Sequence, residues 1–272
     1  MDDQSVALKY IPNHFSYRAK RAATILVSQR DLLLSGYGTD NFETKSNPND
    51  ILTEIDTKVE KNLKIAFANI DENLQGEELG YDPNLSDPFW ICDPIDGTGC
   101  YVRQQPFCVS MIAYIVDGEV EIGLIYDFLA DQLYAAERGK GAFCNTKPVH
   151  VSNRGIDELK GSVSGSYIDN AVNSMRIYLK SHHMNRYNVY AAGNEFFNVA
   201  NGKNDIKICV NAGNMDWDRA PGMLLIREAG GVYKRLDGKD ASYRENTFIA
   251  TNPIAYKQII SDPQSPFYLG DT

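Results

Sequence analysis

The sequence predicts a mixed fold of the α+β or α/β class, and three observations carry that expectation. Two segments in the first 70 residues place apolar side chains at helical spacing. Residues 89–145 read almost wholly as strands. Beyond residue 150, short strands alternate with helical stretches. A soft boundary is therefore expected near residue 150, dividing residues 1–150 from residues 151–272. No linker, repeat or charge block separates the two halves, so they should form one rigid body.

Along the chain, "NHFSYRAKRAATILVSQRDLLLSG" spaces Phe15, Ala19, Ala22, Leu26 and Leu33 along one helical face and stops at Gly36. "NDILTEIDTKVEKNLKIAFANI" repeats the pattern from Ile51 and Leu52 to Ile70, with Asp50 placed to support its N-terminus. Both helices should cover one face of a sheet. "FWICD", "FCVSMIAYIVDGEVEIGLIYD" and "QLYAAERGKGAFCN" supply the strands, with a hairpin turn at Asp117-Gly118 and another turn at Gly139 and Gly141. "GSVSGSY" and "YNVYAA" read as further strands, "IDNAVNSMRIYLKSH" and "NEFFNVANG" as helices. "WDRAPGMLLIREAGGVYKRLDG" reads as a helix that ends at Gly230-Gly231 and continues as a strand.

Composition narrows the function. Hydrophobic residues at 43% and charged residues at 23% describe an ordinary globular chain. A net charge of −9 argues against nucleic acid as a partner, which calls for a basic face. It leaves room for a phosphorylated small molecule, because bound cations reverse the field around carboxylates. No apolar run is long enough to span a membrane and no secretory signal is visible. Five cysteines, an odd number, fit a reducing cytoplasm. Cys92, Cys100 and Cys108 are eight apart, lack the close pairing of zinc sites and read as packing. His14, His150, His182 and His183 read as solvated surface.

The chemistry concentrates in "WICDPIDGTGCY". Asp93 ends an apolar strand, Pro94 fixes the backbone, and Asp96 returns three residues later towards the same small volume. Gly97 and Thr98 open the first turn of a helix, whose N–H groups would form an anion site. An Asp-capped loop would use the same residues. Two carboxylates so close repel unless a proton or a cation lies between them, and hard oxygen ligands suit Mg2+ or Mn2+. Further ligands are available in Glu77 and Glu78 of "GEE", in Asp56 of "TEID", and in Asp218, just before a helix whose first turn holds Pro221.

The ordered set "KSNPNDILTEIDTKVE", "GEE", "WICDPIDGT", "GLIYD", "GKGAFCN" and "WDRAPGMLLIREAGG" resembles the inositol monophosphatase family of metal-dependent, lithium-sensitive phosphatases. The resemblance implies a layered α-β-α-β-α sandwich of the inositol monophosphatase and fructose-1,6-bisphosphatase type. It also implies a phosphomonoesterase that attacks inositol 1-phosphate with metal-activated water, and a homodimer. Glu77, Asp93 and the carbonyl of Ile95 would bind a first Mg2+. Asp93, Asp96 and Asp218 would bind a second, and Asp56 and Lys45 would lie in the outer shell of a third. Thr98 and Glu77 would be catalytic, positioning and deprotonating the water. Gly97, Thr98, Gly193, Asn211 and Asp218 would contact phosphate or substrate.

The likeness is incomplete on the substrate side. Seven residues before Asp218, where the family's inositol-1-phosphate enzymes carry an acid for the sugar hydroxyls, stands Asn211. "AAGNEFF" replaces a G-S-A-A-like turn, and Gly99-Cys100-Tyr101 replaces a Thr-Asn-Phe-like triplet. Without a carboxylate at 211, weak discrimination between inositol 1-phosphate and other small phosphomonoesters is expected, unless Asp216 or Glu195 reaches the pocket. Histidinol phosphate, 3′-phosphoadenosine 5′-phosphate and fructose bisphosphate remain alternative substrates. An inactive regulatory homologue is the non-enzymatic alternative, and the complete ligand set speaks against it.

Overall fold

The computed structural model describes residues 3–45, 51–70, 72–78, 80–82, 84, 88–166, 168–186, 191–213 and 215–270. The chain begins with helices α1 (Asp3–Tyr10), α2 (Tyr17–Val27) and α3 (Arg30–Ser35), then a two-stranded ribbon, β1 (Phe42–Thr44) and β2 (Ile51–Thr53). Helix α4 (Glu54–Ala68) leads into β3 (Leu74–Gly76), β4 (Phe89–Asp96) and the short α5 (Thr98–Val102). An antiparallel meander follows: β5 (Val109–Val116), β6 (Glu119–Asp127), β7 (Gln132–Glu137), β8 (Ala142–Cys144) and β9 (Lys147–Pro148). The second half comprises β10 (Lys160–Gly165), α6 (Asn170–Ser181), β11 (Asn185–Arg186), α7 (Ala192–Ala200) and β12 (Ile206–Val210). It closes with α8 (Asp216–Glu228), β13 (Val232–Lys234), β14 (Phe248–Thr251) and α9 (Pro253–Ser261).

Strands β3 to β9 form one sheet in chain order, and a second sheet runs β11-β10-β12-β14-β13. Side chains alternate across a strand, and that alternation sorts the layers. From β4 and β5, Trp90, Cys92, Ile112 and Tyr114 pack against Ala19, Ala22, Leu26, Val59 and Leu63 of α2 and α4. Their neighbours Phe89, Ile91, Met111 and Ala113 face the other way, onto Phe196 of α7 and Met223 and Leu224 of α8. Those two helices also meet Cys209, Tyr233 and Phe248 of the second sheet. The far face of that sheet, Val163, Ile208 and Ile249, is covered by Val172, Met175 and Leu179 of α6 and by Ala255 and Ile259 of α9. The order is helices, sheet, helices, sheet, helices: the five-layer sandwich.

The structure corrects several boundaries. The first expected helix is two, because the Ser28 and Gln29 side chains donate to the Ile25 carbonyl at 2.7 and 3.4 Å and compete with the helical ladder. Ile51 and Leu52 belong to β2, paired with Thr44 and Glu43, not to the second helix. Helix α4 starts after Thr53, whose hydroxyl accepts from Ile55 and Asp56 while Asp56 accepts from the Thr53 N–H at 2.8 Å. The T-x-x-D spacing of "TEID" is a capping-box signal. Asp50, expected to support this end, lies outside the described residues. Of "YNVYAA", residues 187–190 also lie outside them, and Ala191-Ala192 start α7 rather than end a strand. Asp218 is inside α8, and Pro221 sits one turn deeper than expected.

The hairpin and helix ends follow the sequence closely. Asp117 and Gly118 take φ of 52° and 74°, the left-handed pair that suits a two-residue hairpin. Helix α8 ends at Glu228, and Gly230, φ 81°, turns the chain away just past its cap.

Helix α8 packs tightly on β6 at Gly123, where a Cβ would lie 2.7 Å from the Pro221 carbonyl oxygen and 3.0 Å from its Cα. Gly123→Ala must therefore push the central helix off the sheet, and a cost of about 1–3 kcal/mol is expected. Urea denaturation should show the midpoint falling with the slope unchanged; a wild-type midpoint would contradict this packing.

Candidate active site

Asp93 and Asp96 are three apart, so a regular strand would send them to opposite faces. The ladder between β4 and β5 resolves this. Asp93 pairs with Met111 and Asp96 with Val109, so three steps on β4 face two on β5 and one residue bulges out. Pro94, which has no N–H to give the ladder, lies in the bulge. The strand continues to Asp96 instead of ending at Asp93, and both carboxylates turn inward, only 3% and 7% exposed.

Asp218 meets them from α8. It is the third residue of that helix, and its Oδ2 accepts from the Met215 N–H at 2.7 Å. One carboxylate oxygen from each of Asp93, Asp96 and Asp218 lies within 4.8 Å of the others. Asp93 Oδ1 is buried with no hydrogen-bond partner. Burial, then the charges of Glu77, Asp218 and Asp96, push the Asp93 carboxyl far above the carboxylate range. Burial and Asp218 push Asp96 up to about 8, against the pull of the Gly193 and Ala192 N–H groups; burial first raises Asp218 to about 6. A buried, unpaired carboxylate oxygen among acids that resist ionisation is a donor set suited to a hard divalent cation.

Asp96 is held by the start of α7: Ala192 N donates to its Oδ1 at 3.0 Å and Gly193 N to its Oδ2 at 2.6 Å. Gly193, expected to contact phosphate or substrate, has its N–H engaged by the acidic centre. Behind it, Lys207 of β12 and Glu195 of α7 form a buried ion pair, 1% and 6% exposed at their side chains. The Lys207 charge also acts on Asp96.

Gly97 takes φ 86°, and a Cβ there would fall 2.4 Å from the Phe107 carbonyl oxygen, so glycine is required where the chain turns into α5. The next residue, Thr98, donates to the Ile95 carbonyl at 2.9 Å and lies 3.3 Å from Asp56 Oδ1. Burial raises Asp56 to about 6. Glu77 and Glu78 accept from Lys45 at 2.7 and 2.6 Å, so the ammonium bridges the two acids. Burial, its largest influence, raises Glu78 to about 7.

The remaining candidates sit elsewhere. Glu195 is occupied by Lys207, and Asp216 by Arg219 at 2.7 Å and by the Tyr81 hydroxyl, so neither is the carboxylate that Asn211 lacks. Asn211 is exposed, with φ 46°, and contacts Thr247 and Asp169. The four histidines lie outside the acidic centre: His14 packs on Phe15 and Phe143, and His182 faces Asp157 and Tyr178. Cys92, Cys100 and Cys108 are buried free thiols. Sequence reasoning missed Ala192, Lys207, Asp169 and Thr247. Only Lys207 left a trace, as a cation in the otherwise apolar strand "IKICV".

The profile of the inositol monophosphatase family matches residues 14–265. An inositol-1-monophosphatase of Bacillus subtilis is 33% identical over 233 residues, 81% of this chain and 86% of that protein. A fructose-1,6-bisphosphatase/inositol-1-monophosphatase of Thermotoga maritima is 30% identical over 242 residues, 84% of this chain and 89% of that protein. A solved IMPase structure from Thermotoga maritima superposes with a TM-score of 0.79 at 30% identity, covering 89% of this chain and 95% of that one.

The raised carboxyls set a pH dependence of stability. Asp218 near 6 and Asp96 near 8 bind protons more tightly folded than unfolded, where a carboxyl titrates near about 4. Their contribution is complete below about pH 4 and is lost as pH rises through 6 to 8. A cation that binds the ionised forms opposes this loss. The melting-temperature gap between Mg2+ and EDTA should therefore widen from about pH 5 to about pH 8 and shrink in Asp96→Asn. An equal gap at every pH would show that these acids do not bind the ion.

Proposed function

The chain belongs to the inositol monophosphatase family of phosphatases, and we propose on that premise that it hydrolyses small phosphomonoesters, inositol 1-phosphate among them, with divalent-cation help. The observation that carries the reading is the convergence of Asp93, Asp96 and Asp218 around an unpartnered buried carboxylate oxygen. These acids, with Glu77 and the Ile95 carbonyl, would hold two Mg2+ ions, with Mn2+ as a substitute. Bound ions would supply Lewis-acid activation of water and neutralise charge on the leaving oxygen.

The chain's own groups orient the reactants. The N–H groups at Gly97 and Thr98 begin α5 and would hold phosphate oxygens where a helix cannot satisfy its own donors. Thr98 Oγ1 lies between the Ile95 carbonyl and Asp56 Oδ1, so it can accept from water and pass its own proton towards Asp56. Glu77, whose charge acts on both Asp56 and Asp93, is the second candidate to orient that water. Lys45 now occupies the Glu77 and Glu78 carboxylates and would have to share them with a third ion.

Finer readings rest on the same footing. The division of the chain near residue 150 would separate most cation ligands from the residues that choose the leaving group. Five free thiols support a reducing, cytoplasmic setting. Among the described residues no helix is long and apolar enough to cross a membrane. A homodimer is proposed from the family resemblance, and light scattering would test it.

Phosphate release across a panel containing inositol 1-phosphate, fructose 1,6-bisphosphate, histidinol phosphate and 3′-phosphoadenosine 5′-phosphate, with Mg2+ or EDTA, tests the reading. Activity is expected only with the cation, with inhibition by Li+. Asp93→Asn should lower kcat by several orders of magnitude in a folded protein; full activity there or in EDTA would sink the proposal.

Thr98→Ala should reduce kcat by roughly 10²–10⁴-fold and change KM little, because the backbone donors remain. A rise in KM alone would reduce Thr98 to a binding role.

A further inference from the structure

Resting on the phosphatase reading above, we propose that Asp169 is the residue that reads hydroxyl groups of the leaving alcohol. Asn211 serves beside it as a donor.

Strands β10 and β12 are parallel neighbours, with Gly165 beside Val210, so the chain leaves both at the same edge. Asp169 follows β10 and Asn211 follows β12. Helix α7 returns antiparallel to β12, its far end tied to the start of that strand by the Asn204 N–H on the Asn198 carbonyl at 2.7 Å. Its first turn, which grips Asp96, therefore lies at the level where β12 ends. Seven residues after Asn211, Asp218 enters the acidic centre. Asn211 and Asp169 consequently stand on the rim of the centre, on the side of the second sheet.

The orientation of the Asn211 amide follows from its partners. Thr247 Oγ1 accepts from the Asn211 N–H at 3.0 Å, so its own proton is free to be donated, and Asn211 Oδ1 lies 3.2 Å away. That turns Nδ2 towards Asp169 Oδ2, 3.5 Å distant. Asp169 is anchored through its other oxygen, which accepts from the N–H groups of Ala171 and Val172 at 2.8 and 3.4 Å. One carboxylate oxygen is thus fixed by α6, and among the described residues the other meets only the long Asn211 contact, with acceptor capacity to spare. A polyol needs that complement: an acceptor for its hydroxyl protons and an amide N–H for a hydroxyl oxygen. The carboxylate missing at 211 stands across the rim at 169, which reverses the expectation of weak discrimination.

Asp169→Asn keeps the cap of α6, because Asn caps helices as well as Asp. Initial rates on inositol 1-phosphate and on phenyl phosphate, whose alcohol has no further hydroxyl, separate the outcomes. We expect kcat/KM to fall roughly 10–100-fold for the former, the worth of a hydrogen bond to a charged group. For the latter it should stay within about twofold. Adding Asn211→Asp to Asp169→Asn should recover some of the loss by returning a carboxylate to the same rim. An unchanged ratio between the substrates, or an equal fall for both, overturns the role of Asp169 and leaves the phosphatase reading intact. Wild-type protein inactive on both substrates overturns that reading, and this one with it.

Discussion

Three carboxylates with oxygens inside 4.8 Å, two of them buried and the third half-buried, resist being ionised together without a compensating cation. The local architecture answers that constraint. Asp96 is partly neutralised by two N–H donors at the start of α7, and Asp218 by the Met215 N–H at the start of α8. Helix N-termini tolerate negative charge, so these acids sit where their cost is lowest. Among the described residues of this centre, Asp93 carries a fully buried oxygen with no hydrogen-bond partner, and that is where a cation gains most.

The same constraint explains the second ring of charge. Lys45 spans Glu77 and Glu78, and Lys207 sits behind Asp96 with Glu195 as its counter-ion. A buried ion pair seldom stabilises more than apolar residues of equal volume would. Its place against the helix that grips Asp96 makes local electrostatics a better account of it than packing. The five layers serve as the frame: α7 and α8 lie between the sheets, so their first turns can meet the end of β4 without an exposed loop between them.

Much was legible along the chain. Local signals carry the Asp117-Gly118 turn, the glycine that stops α8 and the acidic motif itself, because each depends on residues within a few positions; the capping box at Thr53 is equally local, although the expected cap is Asp50. The five layers were expected from the family resemblance, and the continuous apolar runs of β4 and β5, buried almost end to end, fit a sheet covered on both faces. The residues of the acidic centre were legible because their types and order resemble a known family, not because spacing alone brings them together.

Other features were not legible. Asp93 and Asp96 share a face only because β5 pairs with β4 through a one-residue bulge, and no pattern within "DPID" encodes that register. Ile51 and Leu52 fit a helix by periodicity and became a strand because Phe42–Thr44 lies beside them. The clamp on Asp96 comes from residues 96 and 97 positions away, and the Asp169–Asn211 contact spans 42. By itself the sequence determined the elements, their buried faces and the kinds of ligand, since those follow from neighbours within one turn or one strand. The tertiary structure alone decided which carboxylates converge and which donors neutralise them, because those contacts depend on how distant strands pair and on which helix ends meet at their edge.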